Sequence, residues 1–283
     1  MGLELDAAAG RLRLVGFDPA PHREARGNER WMLVGAFVLA LGLFVAIVLE
    51  DYEPVKLAPV FMLLAWFPLI AWHEAGHAIA TRLVGWEVDA IVVGFGGVAF
   101  AFDVFGVACA IKMYPLGGFV RPAPLDTRAL RLKHAFVYSA GPLAEALIVI
   151  VTGAIVGFDA LLTRTDSIPM IAAQAVCAAA AFSVVTNLVP RAIDTERGAS
   201  ATDGMGILRS LFGPIAPLEG QVRERLIERI EDAAERRDAA LARRWCERAD
   251  ASFPNDARVR SVTRRALEAA TRTDATLASM SAI

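Results

Sequence analysis

Residues 59–84 read PVFMLLAWFPLIAWHEAGHAIATRLV. No side chain from Pro59 to Trp72 carries a charge, and the whole stretch exceeds the roughly 20 mainly apolar residues that a helix needs to cross a bilayer. Its composition predicts a membrane-spanning helix over 59–84. Pro68 lies about one turn before His73 and removes one ladder hydrogen bond, which predicts a kink there. Polar chemistry then enters without a break in helical character, as His73-Glu74-Ala75-Gly76-His77. Histidines four residues apart stack on one helical face, one above the other, and can grip a single Zn²⁺. Glu74 is rotated by about 100° from His73, so it faces a water beside the metal instead of the metal itself. Ionisable groups in an apolar helix are costly and mark function by default. His73 and His77 are therefore candidate metal ligands and Glu74 a candidate catalytic base.

Three further segments have the length and apolarity of spans: 31–49, 135–158 and 168–190. The last is rich in alanine, and small side chains let helices approach closely in lipid. Arginine and lysine counts in the flanks set the orientation. The N-terminal arm holds Arg11, Arg13, Arg23, Arg26 and Arg30, and the region between spans two and three holds Arg82, Lys112, Arg121, Arg128, Arg131 and Lys133. The alternate links carry only Lys56 and Arg164. Both termini are thus expected in the cytoplasm of a multi-pass cell-membrane protein. The first apolar run is too long for a secretory signal and reads as a retained anchor.

Between spans two and three, residues 88–120 are too apolar for an ordinary loop and too interrupted by glycine for a helix. Val98–Val104 and Val107–Tyr114 are strand-like, and non-helical backbone at membrane depth needs protein or a wet cavity to cover it. A β-hairpin dipping into the membrane edge is expected. From Pro217 the chain turns charged and helical, with breaks at Arg236–Asp238 and at Phe253–Asp256. Ala242, Ala249 and Pro254 fall where a tetratricopeptide hairpin places its small residues and closing proline, but one partial match favours an ordinary helical hairpin. The fold class is an α-helical polytopic membrane protein: about four transmembrane helices with a membrane-dipping β-hairpin, plus a C-terminal soluble helical region. Its expected parts are a cytoplasmic arm at 1–30, a membrane domain at 31–213 and a cytoplasmic helical domain at 214–283.

Bulk properties agree. Apolar residues make up 55% of the chain while charged ones still reach 21%, as in a membrane part joined to a soluble part. A net charge of -2 gives no reason to expect nucleic acid as a partner. Cys109, Cys177 and Cys246 are far apart and form no CxxC, which argues against a disulfide framework or a cysteine zinc site.

A catalytic zinc site takes a third protein ligand and keeps its fourth position open. The cytoplasmic stretch after span four supplies Asp203, followed by Gly204, and Asp194, nearer the helix end. His134 and His22 are expected at the surface.

HEAGH at the end of an apolar helix, PLGG at 115–118, SAGP at 139–142, NLVP at 187–190 and TDG at 202–204 together resemble the site-2 protease family of intramembrane metalloproteases, over roughly residues 59–210. The resemblance implies that His73, His77 and Asp203 bind zinc, that Glu74 is catalytic, and that Asn187 positions substrate. It implies that the segment ending in PLGG is the membrane-dipping hairpin and pairs with extended substrate. It also implies regulated hydrolysis of peptide bonds in membrane-spanning proteins. Two features depart from the family pattern. Asp203 lies far beyond Pro190, so Arg191–Ala201 must loop out, and Asp194 stays open as a ligand. Glu145 stands where asparagine is common, for no reason the sequence supplies. Competing readings are a membrane-anchored zinc peptidase with its catalytic domain in the cytoplasm, and a non-catalytic membrane adaptor acting through its C-terminal helices. Expected partners are transmembrane protein substrates and the lipid bilayer, with a partner protein or self-contact at the C-terminal helices left open.

Overall fold

The computed structural model describes residues 2–6, 11–15, 39, 42, 45–46, 50, 52–195 and 198–281, in a few of these stretches by backbone alone. The expected first span, 31–49, and His22 lie outside the continuously described residues. Two short strands, β1 (Gly2–Asp6) and β2 (Arg11–Val15), pair antiparallel in the N-terminal arm. A single turn of 3₁₀ helix at Pro54–Leu57 leads into α1 (Ala58–Leu83), which runs through Pro68. Then come β3 (Glu87–Val104), β4 (Val107–Ala123), α2 (Leu130–Val156), the five-residue α3 (Phe158–Leu162) and α4 (Ile168–Leu188). Strands β5 (Ala192–Thr195) and β6 (Gly198–Ala201) precede α5 (Asp203–Phe212), α6 (Ala216–Glu235), α7 (Ala239–Ser252) and α8 (Ala257–Ser281).

Among the described residues three helices are long and apolar enough to cross a membrane: Pro54–Leu83, Leu130–Val156 and Ile168–Leu188. Leu63, Leu64, Leu143, Ile155 and Val185 are exposed along them, the pattern of helices whose outer faces meet lipid instead of water.

The strands of the expected hairpin are longer than the sequence suggested. They turn at Phe105 and Gly106, both with positive φ (52° and 77°), the backbone of a tight two-residue hairpin turn. Burial alternates or is continuous from Glu87 to Gly94 and ends at Phe95, beyond which β3 is exposed to its tip. Gly94 has φ 94°, and a Cβ there would lie 2.7 Å from Tyr114 O, so glycine is required for the strands to close up.

By contacts the chain divides into two units. The first comprises Met1–Glu74, Ala90–Phe119 and Pro142–Thr186; the second comprises Ala75–Asp89, Val120–Gly141 and Asn187–Ile283. In the first, Leu69 of α1 packs on Ala179 and Ala180 of α4, with Met62, Ala65, Ile148 and Val149 around them. The alanines remove the bulk that would otherwise hold the helices apart. In the second, Ala80, Trp86, Leu130 and Val137 share one core with Leu226 and Ile230 of α6, Cys246 and Ala249 of α7, and Val259 and Val262 of α8. Burying side chains such as Leu226 and Ile230 stabilises by about 1.5–3 kcal/mol each. All three cysteines are buried and free.

An ionic clasp adds to this second core. Arg225 pairs with Asp89, and with Glu87 at 3.3 Å, while Arg229 pairs with Glu87 and Arg121 lies 3.9 Å from Asp89. Burial pushes the Asp89 carboxyl above its ordinary range, against the pull of these arginines.

Candidate metal centre

His73 and His77 sit one turn apart in the C-terminal half of α1, both 7% exposed. Each has its Nδ1 close to a group on α2. His77 Nδ1 lies 2.7 Å from the carbonyl oxygen of Val137 on α2. A carbonyl can only accept, so the proton sits on Nδ1 and the lone pair on Nε2. That Nε2 lies 3.3 Å from Asp203 Oδ1. A lone pair and a carboxylate oxygen at this distance repel unless a cation or a proton lies between them. The donor atoms of His73, His77 and Asp203 fall within 4.8 Å of one another, and two imidazoles with one carboxylate are a donor set that suits zinc. The residues fit the ion.

Asp203 is the first residue of α5, and its position is set by a small lattice of bonds around Thr202. The Thr202 hydroxyl donates to Val189 O at 2.8 Å and accepts from the Arg191 amide at 3.0 Å, while the Thr202 amide donates to Arg191 O at 3.0 Å. The insertion Arg191–Ala201 therefore leaves and returns at one point. It does loop out, as an antiparallel pair with Ala192 opposite Ala201 and Asp194 opposite Ala199. Asp203 is thereby brought back beside the end of α4 despite its distance in sequence from Pro190. The side chain of Asp194 lies outside the described residues.

Two contacts hold α5 itself. Gly204 is buried, and a Cβ on it would lie 1.9 Å from Leu188 O. This glycine lies in a helix and supplies close approach to another backbone. At the other end of α5, Arg131 Nη1 donates to the carbonyls of Ser210, Leu211 and Gly213 at 3.2, 3.0 and 2.7 Å, covering C-terminal groups that have no partner inside the helix.

Glu74 is 4% exposed and rests against β4. Gly118, the last glycine of PLGG, is the contact: a Cβ there would lie 2.7 Å from both Glu74 Oε1 and Val92 O. Asn187 is the penultimate residue of α4 and half-buried.

His134 is not at the surface. It is 2% exposed, edge-on to Trp86 with ring centroids 4.7 Å apart, because α2 turns that face toward the second core. Glu145 was singled out by its sequence but not explained by it. It is 1% exposed, its Oε1 accepts from the Ser183 hydroxyl at 2.7 Å, and its Oε2 lies 3.1 Å from His73 Nδ1. That last contact is at ion-pair distance but is not aligned for a hydrogen bond.

Two histidines on a helix long and apolar enough to cross a bilayer, with a carboxylate from α5, form a group that could hold a metal ion. The chain matches the model of peptidase family M50 over residues 61–276 and belongs to that family, the site-2 proteases, which are zinc-dependent. It is 35% identical over 96 residues to the regulator of sigma E protease of Haemophilus influenzae, covering 29% of this chain and 22% of that protein. It is 33% identical over 92 residues to the chloroplastic membrane metalloprotease ARASP of Arabidopsis thaliana, covering 28% and 21%. With zinc metalloprotease RasP of Geobacillus kaustophilus it shares 35% over 69 residues, covering 24% and 16%. The aligned part thus spans about a fifth of these curated relatives.

Proposed function

We propose that this chain is an intramembrane zinc metalloendopeptidase that hydrolyses peptide bonds of membrane-spanning substrate proteins, as in regulated intramembrane proteolysis. The observation that carries the reading is the approach of His77 Nε2 to Asp203 Oδ1 at 3.3 Å, with His73 one turn away and Glu74 buried beside it. His73, His77 and Asp203 hold the metal, with Asp203 favoured over Asp194. When bound, zinc supplies a Lewis acid that polarises the scissile carbonyl and makes water a better nucleophile. Glu74 takes the proton of the attacking water and delivers it to the departing nitrogen. Its low exposure suits that role, because a carboxylate shielded from bulk water exchanges protons with the reacting groups and not with solvent.

A peptide bond within a transmembrane helix is protected by its own hydrogen bonds and must unwind first. The β3–β4 hairpin, whose β4 strand meets Glu74 at Gly118, offers an edge to which unwound substrate adds as a strand. Asn187 at the end of α4 helps to seat it. The organisation is a cytoplasmic arm at 1–30, a membrane domain at 31–213 and a cytoplasmic helical domain at 214–283. Both termini face the cytoplasm, and the C-terminal helices select or license substrates.

The test is Glu74→Gln in purified protein with a substrate carrying one transmembrane segment. Cleavage is expected to vanish while one zinc per chain stays bound. Cleavage at the wild-type rate in that variant overturns the mechanism, and absence of metal from the wild type leaves the adaptor reading in its place.

A further inference from the structure

Glu145 lies in the interior of α2 and is 1% exposed. Three helices of the first unit converge on it. From α1, His73 Nδ1 approaches Oε2 at 3.1 Å, and from α4 the Ser183 hydroxyl donates to Oε1 at 2.7 Å. The register of α1 against α2 is fixed beside this pair, because Trp72 Nε1 donates to Ala144 O at 2.8 Å, one residue away on each helix. Among the described residues no lysine or arginine pairs with Glu145.

A carboxylate so deeply buried in an apolar bundle is costly unless a positive charge compensates it. The cluster it touches is built for a divalent cation. The two histidines are held differently. His77 gives its Nδ1 proton to a neutral backbone carbonyl, whereas His73 faces an acid.

We infer that Glu145 is the positioning residue for His73. Its Oε2, 3.1 Å from Nδ1 of that imidazole, fixes the orientation of the ring and leaves the opposite ring nitrogen, Nε2, for the metal. Ser183 holds the carboxylate in place. A partner of this kind is worth about 10–100-fold in metal affinity. The inference rests on the zinc reading of the site and assigns within it a residue that touches neither metal nor substrate.

The experiment measures zinc affinity of the full chain in detergent by competition with a chromogenic chelator, the visible spectrum of the cobalt-substituted protein, and melting of the metal-free form. Glu145→Gln keeps shape and removes charge. It is expected to weaken zinc about 10–100-fold, to shift the cobalt bands, to lower kcat with KM little changed, and to leave metal-free melting near that of the wild type. Glu145→Asp restores part of the affinity, and Ser183→Ala weakens zinc several-fold in the same direction. Affinity within twofold of wild type in both Glu145→Gln and Ser183→Ala overturns the inference. So does a loss of zinc that merely follows loss of the folded, monodisperse protein, since that would make Glu145 structural. A wild type that takes up no zinc sinks the metal-site reading itself, which Glu145→Gln alone does not.

Discussion

Gly118 and Glu74 meet so closely that a methyl group on the glycine would lie 2.7 Å from Glu74 Oε1 and 2.8 Å from its Cγ. The strand that carries PLGG is thus the wall against which the candidate base is seated. Gly118→Ala is expected to push the carboxylate aside and lower kcat by about 100-fold, the cost of a displacement near 1 Å, with zinc content unchanged. Gly97→Ala is the control, because a Cβ there meets only Met113 Sδ at an ordinary 3.4 Å. Equal activity of the two variants in a substrate-cleavage assay would remove the wall from the mechanism.

The third ligand can be decided by metal analysis. Asp203→Ala is expected to lose zinc at chelator concentrations that leave the wild type loaded, since it removes the carboxylate facing His77 Nε2. Asp194→Ala is expected to keep it. The reverse pattern would move the ligand to the β5 strand.

Gly204→Ala puts a Cβ 1.9 Å from Leu188 O and 2.6 Å from its carbonyl carbon. Backbone cannot yield as a flexible side chain does, so the first turn of α5 must shift and carry Asp203 with it. Overpacking of this kind costs about 1–3 kcal/mol. A lower melting temperature together with weaker zinc binding is the expected result; an unchanged metal affinity would show that α5 can move without its aspartate.

Asp256 offers a test outside the membrane helices. Its Oδ1 accepts from the amides of Val259 at 3.0 Å and Arg258 at 2.9 Å at the start of α8, and its Oδ2 accepts from Arg223 Nη1 at 3.0 Å. The Val259 amide, opposed by modest desolvation and aided by Arg223 and the Arg258 amide, holds the carboxyl below its ordinary 3.8. A depressed acid stabilises the fold above its unfolded pKa and loses that contribution as pH falls through the folded value. Asp256→Ala should therefore cost about 1 kcal/mol at neutral pH. The gap between the two melting curves should shrink as pH drops below 3.8. A gap that does not change with pH would mean that the carboxylate charge plays no part.

Much of the site was legible because its signals are local. His73, Glu74 and His77 lie within one helical turn and a third, and helical geometry alone places both imidazoles on one face. The apolar runs that became α1, α2 and α4 declare themselves by length, and the glycine-broken stretch after α1 could be nothing but strand or loop. The resemblance favoured the aspartate of the TDG motif and left Asp194 open.

Sequence alone thus determined which of the described helices are long and apolar enough to cross a membrane and which helix carries the candidate metal-ligating histidines, because both depend on spacing and hydropathy along one segment. Only the tertiary structure decided the rest. It showed that Thr202 closes the insertion so that Asp203 returns to His77, that Gly204 is needed for close approach to Leu188, that His134 is buried against Trp86, and that Glu145 stands behind His73. Each of these joins residues far apart in the chain, and such pairings are fixed by how helices pack, which no local pattern of side chains encodes.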